Sequence, residues 1–328
     1  MSDNSPNCKL LKIYKGGSLS STKLIEHSEL GIVVIKEVST EKNREYGFVR
    51  FNSQIKRHQF LFSKDKSLYP RIIKVGIDST KQKAYCIYEF KENYIPLIEY
   101  LINPNLIKKD VVQTAINTKS ALDKIHSIKS NFEDPDGTLN YYVEEEMIRP
   151  LNTYKAILNE NELTFQKEKV LNTSKLIEKI KIRLEKIKTL PDSCFIHGNS
   201  TLENILIDPK TLKVCFIDLY DETYFNSAIS DFSQILQCSK YFYGLKMRAP
   251  TENQSNEKRL NFSFMKGPKN VVIFNNIFEK LIINEKIDKT LFSLMCASQF
   301  TRLLPFRIKS KDFHNAKYFY SLASHILK

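Results

Sequence analysis

Residues 194–222 read CFIHGNSTLENILIDPKTLKVCFIDLYDE, and their reading decides the fold. A short apolar run from Cys194 ends in His197-Gly198-Asn199. Asn204 follows five residues after Asn199 and opens a second run, Ile205-Leu206-Ile207. A third run, from Val214, ends in Ile217-Asp218. Apolar runs this short, bounded by turn residues, read as strands. The last two lie side by side as a hairpin, so Asn204 and Asp218 can offer hard oxygen ligands to one cation. Such parts recur where phosphoryl groups are transferred. A loop residue faces the acceptor hydroxyl, an amide oxygen a few residues on takes the metal, and a carboxylate at the next strand end takes it too.

Working outward, the first 90 residues predict three strands, a helix and two more strands. KLLKIY leads into the Gly16-Gly17-Ser18 turn, and TKLIEH and GIVVIKEV pair as a hairpin through residues 28–30. Over residues 43–62 the period changes, because Phe48, Phe51, Ile55, His58 and Phe62 recur every three or four residues. RIIKVGI and AYCIYEF then read as strands. Beyond Lys91 helical spacing dominates, as in DVVQTAINTKSALDKIHSI and in SKLIEKIKIRLEKIKTL, which Pro191 ends. The polar stretch at 249–259, APTENQSNEKR, reads as a loop.

The order His-Gly-Asn, four residues, Asn, then Ile-Asp resembles the signature of the aminoglycoside phosphotransferase and choline kinase-like family, a branch of the protein-kinase-like fold. Gly16-Gly17-Ser18 looks like that family's phosphate-covering loop, and Lys36 in VVIKEV looks like its strand lysine on the nucleotide phosphates. Tyr88-Glu89-Phe90 looks like the hinge that meets adenine through backbone groups. Ala121-Leu122-x-x-Ile125-His126 is similar to the family's Leu-x-x-Leu-His helix, and Asp231-Phe232 to the structural pair after the metal site. SDFSQILQCSKYFYG and CASQFTRLLPF are similar to C-terminal helices of bacterial phosphotransferases from surface-sugar or phosphorylated-metabolite pathways. The resemblance implies an α+β, bilobal protein-kinase-like fold. A small β-rich N-lobe spans 1–90 and a larger helical C-lobe spans 91–328. It implies ATP and Mg²⁺ as cofactors and transfer of the γ-phosphoryl group to a hydroxyl of a small metabolite, a sugar or an amino alcohol. In that reading Gly16, Gly17, Ser18, Lys36, Glu89 and Phe90 bind nucleotide, and Asn204 and Asp218 hold metal. His197 braces the loop, and Asn199 stands at the catalytic aspartate position.

Asn199 is the departure that matters. An amide accepts a hydrogen bond and orients a hydroxyl, but it cannot take a proton. Three outcomes stay open: a slow kinase, a kinase using Asp221 or Glu222 instead, or a nucleotide-binding pseudokinase acting as scaffold or regulator. A second departure is the partner of Lys36. Residues 48–62 contain no Asp or Glu, so Gln54 is favoured by position and Glu45 by chemistry. Arg149 reads equally as an anion grip or as an ion pair with Glu145 or Glu146.

Composition excludes other classes. Of 328 residues, 42 % are hydrophobic and spread along the chain, which supplies a core and argues against disorder. No apolar run is long enough to span a membrane. The N-terminal MSDNSPNCKLLKIYKGG lacks an apolar core with a cleavage site, so a cytoplasmic protein is expected. The net charge of +13 invites a nucleic-acid reading. Yet the lysines are scattered among glutamates, as in KLIEKIKIRLEKIK, which is the pattern of solvated helix faces. Nucleic acid is therefore not expected as a partner. The six cysteines form no C-x-x-C pair and read as buried thiols in a reducing compartment.

Overall fold

Period-two alternation builds the N-terminal sheet, and 3.6-residue periodicity builds most of the rest. The computed structural model describes residues 8–14, 20–41, 45–130, 135–159, 162–220, 225–248, 259–283 and 287–328. In chain order the elements begin with β1 (Cys8–Tyr14), β2 (Ser20–His27), β3 (Gly31–Ser39), α1 (Glu45–Lys64), β4 (Ile72–Asp78), β5 (Lys83–Glu89) and β6 (Ile95–Pro96). There follow α2 (Leu97–Leu101), α3 (Lys108–His126), α4 (Pro135–Val143), a π-helical turn (Glu144–Ile148), α5 (Arg149–Thr153), α6 (Lys155–Leu158), β7 (Glu162–Phe165), β8 (Glu168–Lys169) and α7 (Thr173–Glu185). The last group is β9 (Ile205–Ile207), β10 (Val214–Phe216), α8 (Ala228–Ser239), α9 (Tyr243–Arg248), β11 (Arg259–Phe262), α10 (Lys269–Ile283), α11 (Lys289–Thr301), α12 (Leu304–Lys309) and α13 (Phe313–Ile326). The chain divides into two compact units, residues 1–96 with 204–223 and residues 97–203 with 224–328. The β9–β10 hairpin therefore groups with the N-terminal sheet.

In the first unit the sheet order is β1-β2-β3-β5-β4, antiparallel throughout. Side chains of a strand alternate between faces. Val38, Ala84 and Cys86 pack on Phe51 and Ile55 of α1, while Val33, Ile25 and Ile87 form a core on the opposite face. Lys36 shares the parity of Val38, so the alternation directs it to the α1 face. Both edge strands are blunted. β1 is bulged between Leu10 and Lys12 and β4 between Ile72 and Lys74, and Lys9, Lys12 and Lys74 are exposed. Bulges and lysines at an edge discourage pairing with another sheet. β9 pairs with both β10 and β6 in a second, three-stranded sheet.

His58 of α1 is buried in this unit. Its Nε2 lies 2.7 Å from the carbonyl oxygen of Pro70, and its ring meets Tyr69 and Tyr88 at 5.4 and 5.3 Å. Burial lowers its pKa below the usual histidine value. A depressed histidine is protonated in the unfolded chain before the folded one, so its contribution is intact above about pH 6.5 and declines as pH falls below that. The unfolding midpoint should drop between pH 7 and 5 in scanning calorimetry. His58→Gln, which keeps a donor for Pro70, should flatten that dependence. An equally steep fall in the variant would remove His58 as its source.

The second unit is helical. α8 is buried along its length from Ile229 to Ser239 and packs against α10 and α11, while α11 also packs on α13 and α3 on α10. Phe274, Phe278 and Phe232 fill its core, with ring centroids 5.8 Å apart for the first pair and 6.0 Å for Phe232–Phe278. Side-chain caps start α7 and α11. Asn172 accepts the Lys175 N–H at 2.9 Å, and Asp288 accepts the Leu291 N–H at 2.8 Å. α7 stops at Glu185, short of Pro191. Arg183 in its last turn is drawn to the Leu327 carbonyl and the Ser293 hydroxyl, both at 2.9 Å. A small sheet absent from the sequence reading also belongs here, with β7 paired antiparallel to β8 and parallel to β11. Cys86, Cys194, Cys215, Cys238 and Cys296 are buried free thiols, and burial pushes those of Cys215 and Cys296 up to about 12. Among the described residues no helix is long and apolar enough to cross a membrane.

Candidate active site

The residues singled out from the sequence fall into two groups, one in each unit. In the first unit Lys36 comes from the middle of β3, opposite Cys86 of β5. Its Nζ lies 2.6 Å from Asp218 Oδ1 and 3.0 Å from Gln54 Oε1 of α1. Asp218 follows β10 directly. The hairpin sets its position, because the Phe216 N–H donates to the Leu68 carbonyl at 2.7 Å and the Ile217 N–H to the Asn204 carbonyl at 2.9 Å. Asn204 and Asp218 thus stand near one end of the hairpin. Asp218 has φ of +56°, a left-handed conformation that Asp tolerates better than most residues and that is common where geometry serves a site. Its side chain is 45 % exposed while that of Lys36 is 14 % exposed, so the carboxylate is the more open partner of the pair. Arg50 of α1 lies over the Tyr220 ring at 5.1 Å, tying the segment after Asp218 to the helix.

Of the two candidate partners of Lys36, Gln54 makes the bond. Glu45 is the first residue of α1, nine positions earlier. Glu89 ends β5. Its N–H donates to the Arg71 carbonyl at 2.9 Å, its carboxylate accepts the Arg71 N–H at 3.2 Å, and Lys91 pairs with it at 3.2 Å. Burial alone would raise its pKa, but the Arg71 N–H and Lys91 hold it below the ordinary value. Phe90 follows, half-buried. Gly16, Gly17, Ser18, Asp221 and Glu222 lie outside the described residues.

In the second unit the loop His197–Ser200 is held by α8. Asp231, fully buried, accepts the N–H of His197 on Oδ2 and that of Gly198 on Oδ1, both at 2.8 Å. The same Oδ2 meets His126 Nε2 at 2.9 Å. Burial would raise this carboxyl's pKa, but the His126 hydrogen bond and the His197 N–H hold it below the usual range. Gln234, one turn along α8, accepts the Ser200 N–H at 2.6 Å and donates to the Gly198 carbonyl at 2.7 Å. The Ser200 hydroxyl donates to the Asp231 carbonyl at 2.9 Å. Gly198 has φ of +77°, which a side chain would strain. The Asn199 N–H donates to His197 Nδ1 at 3.2 Å, so that imidazole nitrogen is an acceptor. Backbone groups of residues 197 to 200 thus carry the bonds to Asp231, Gln234 and His197 that shape the loop.

Gln234, Ser200 and His126 were not expected at the site. The available signal was spacing, since Asp231 and Gln234 are three apart on one helix face. Arg149 forms an ion pair with Glu145 at 2.5 Å and is 64 % exposed, and the Tyr142 hydroxyl bonds to that of Ser298 at 2.7 Å.

The donor set fits a hard cation. Asp218 supplies a carboxylate and Asn204 an amide oxygen, the share a protein gives Mg²⁺ when phosphates and water complete the octahedron. Lys36, in contact with Asp218, adds a positive charge at the same point. No protein-family model matches the sequence, and no curated protein is detectably similar to it. Solved structures are similar in fold. An aminoglycoside-3'-phosphotransferase of type VIII superposes with a TM-score of 0.52 at 14 % identity, over 91 % of this chain and 95 % of that one. A glucosamine kinase superposes with a TM-score of 0.50 at 8 % identity, over 98 % and 94 %. A five-stranded N-terminal lobe, a helical C-terminal lobe and these neighbours together show that the chain has the kinase-like fold.

Proposed function

We propose that this protein is an ATP-dependent phosphotransferase acting in the cytoplasm on a hydroxyl group of a small metabolite, a sugar or an amino alcohol. The observation that carries the reading is the 2.6 Å contact between Lys36 and Asp218, 182 positions apart in sequence. A cation for phosphate and a carboxylate for metal meet at one point. Both solved neighbours are named for amino-sugar compounds, which places such acceptors first in the choice of substrates to test.

In this mechanism Asn204 and Asp218 hold Mg²⁺, which neutralises charge on the nucleotide phosphates when bound. Lys36 draws the phosphate oxygens, and Gly16, Gly17 and Ser18 cover them with backbone N–H groups. Glu89 and Phe90 flank the adenine through main-chain groups. Asn199 accepts a hydrogen bond from the acceptor hydroxyl and orients it, while Asp231, Gln234 and His197 keep the loop still. Asn199 also motivates a second reading, a nucleotide-binding pseudokinase that acts as a scaffold or regulator.

A thermal-shift measurement tests what both readings share. Mg·ATP at about 100 times its dissociation constant should stabilise the folded chain by about 2.7 kcal/mol. No shift with Mg·ATP or Mg·GTP at millimolar concentration would overturn both.

A further inference from the structure

Among the described residues Lys36 has two partners, and only one carries charge. Gln54 Oε1 at 3.0 Å is neutral, whereas Asp218 Oδ1 at 2.6 Å is a carboxylate. The helix beside Lys36 offers no substitute. The sole acidic residue of α1 is Glu45, nine residues and therefore about 13 Å of helix rise from Gln54. A side chain only 14 % exposed keeps its charge at a cost unless a counter-ion is near. Asp218 meets that need, and Asp218 is also the carboxylate assigned to the metal.

We infer that Gln54 couples metal binding to nucleotide binding. This rests on the phosphotransferase reading of Lys36 and Asp218. With a neutral amide at position 54, a divalent cation arriving alone must share the Asp218 carboxylate with Lys36, whose ammonium holds Oδ1 and repels the newcomer. Lys36 then keeps only part of its single counter-charge, and its other partner is an amide. A polyphosphate arriving with the metal removes the conflict, because Lys36 exchanges the carboxylate for phosphate oxygens and Asp218 turns to the cation. Each ligand therefore raises the affinity of the other, and by linkage the two factors are equal. A glutamate at position 54 would give Lys36 a permanent counter-ion and uncouple the two events. Gln54 is thus a positioning residue that acts through Lys36.

The test is the affinity of Mn²⁺, used as a probe for Mg²⁺, for the nucleotide-free full-length chain by isothermal titration calorimetry. Wild type should bind it weakly. Gln54→Glu, isosteric with the native residue, should tighten it about tenfold, within the usual range of coupling between sites. Lys36→Met should tighten it as well, because the competing cation is gone, while weakening Mn·ATP binding. In the Lys36→Met background Gln54→Glu should add nothing. An unchanged Mn²⁺ affinity in Gln54→Glu overturns the inference. So does an equal gain in both backgrounds, which would make residue 54 a direct ligand. If Mn·ATP binds neither wild type nor Gln54→Glu, the phosphotransferase reading falls and the inference with it. If Mn·ATP binds but the single variants match wild type for Mn²⁺ alone, only the inference falls.

Discussion

Replacing Asn199 by aspartate is expected to raise the turnover of phosphoryl transfer by about 10²- to 10⁴-fold, the usual worth of a positioned general base. The substitution restores a group that takes the acceptor proton as the oxygen attacks. The loop backbone keeps its own holds, the Asp231 and Gln234 bonds to residues 197, 198 and 200 and the bond from the residue 199 N–H to His197 Nδ1. The gain should therefore appear in kcat, with KM for ATP nearly unchanged. The measurement is steady-state turnover on a panel of amino sugars, neutral sugars and amino alcohols, wild type beside variant. A silent wild type with an active variant selects the pseudokinase reading, and a slow wild type with a faster variant selects the enzyme. Equal rates in an active pair would show that another carboxylate serves as the base.

Asp231→Asn should produce the largest loss of stability. Asp231 is fully buried and accepts from two backbone N–H groups and from His126. An asparagine has one acceptor oxygen, so one bond of the set is lost and an NH₂ group is turned toward a donor. Breaking a buried charged network from one side costs about 3–5 kcal/mol. For a unit of this size that lowers the unfolding midpoint by roughly 10 °C. The pH dependence has a defined sign. A carboxyl whose folded pKa is depressed stabilises fully above its unfolded pKa, about 3.9, and loses the contribution as pH falls through the folded value. The gap between wild type and variant should be constant from pH 5 to 8 and close in stronger acid. A variant that melts with wild type at pH 7 would contradict the clamp.

How legible the molecule was depends on which physical signal each part left. The order of three strands, a helix and two strands could be read because alternation and 3.6-residue spacing both come from burial of one face, as at Val38 and Cys86 against Phe51 and Ile55. The short sheet of β7, β8 and β11 left no such signal. Its hairpin turns on Gln166 and Lys167, with φ of +52° and +67°. That two-residue turn normally advertises itself with Asn-Gly or Asp-Gly, and here it has neither. Its third strand, β11, pairs in parallel from far along the chain, which local pattern does not encode. At the candidate site the residues proposed to act on phosphate and metal stood out by motif and spacing. Of the residues that hold the loop, Asp231 and His197 stood out in the motif, but Gln234 and Ser200 did not, because they resemble any polar residue until α8 is seen to be buried. Gln54 was visible by position but chemically unexpected, since an acidic partner for Lys36 is the simpler electrostatic solution.

The bond from Ser200 to Gln234 also bears on the chemical lifetime of the protein. An asparagine followed by serine is prone to deamidation, in which the next residue's backbone nitrogen attacks the side-chain carbonyl and a succinimide opens to aspartate or isoaspartate. Here the attacking nitrogen is that of Ser200. Its hydrogen is engaged by Gln234 Oε1 at 2.6 Å within a loop fixed on both sides. Ring closure needs that nitrogen to approach the residue 199 side chain, which costs the bond to Gln234. The contact that shapes the loop should therefore also slow the conversion of Asn199 to aspartate in the folded chain, and with it the spontaneous appearance of a base at this position.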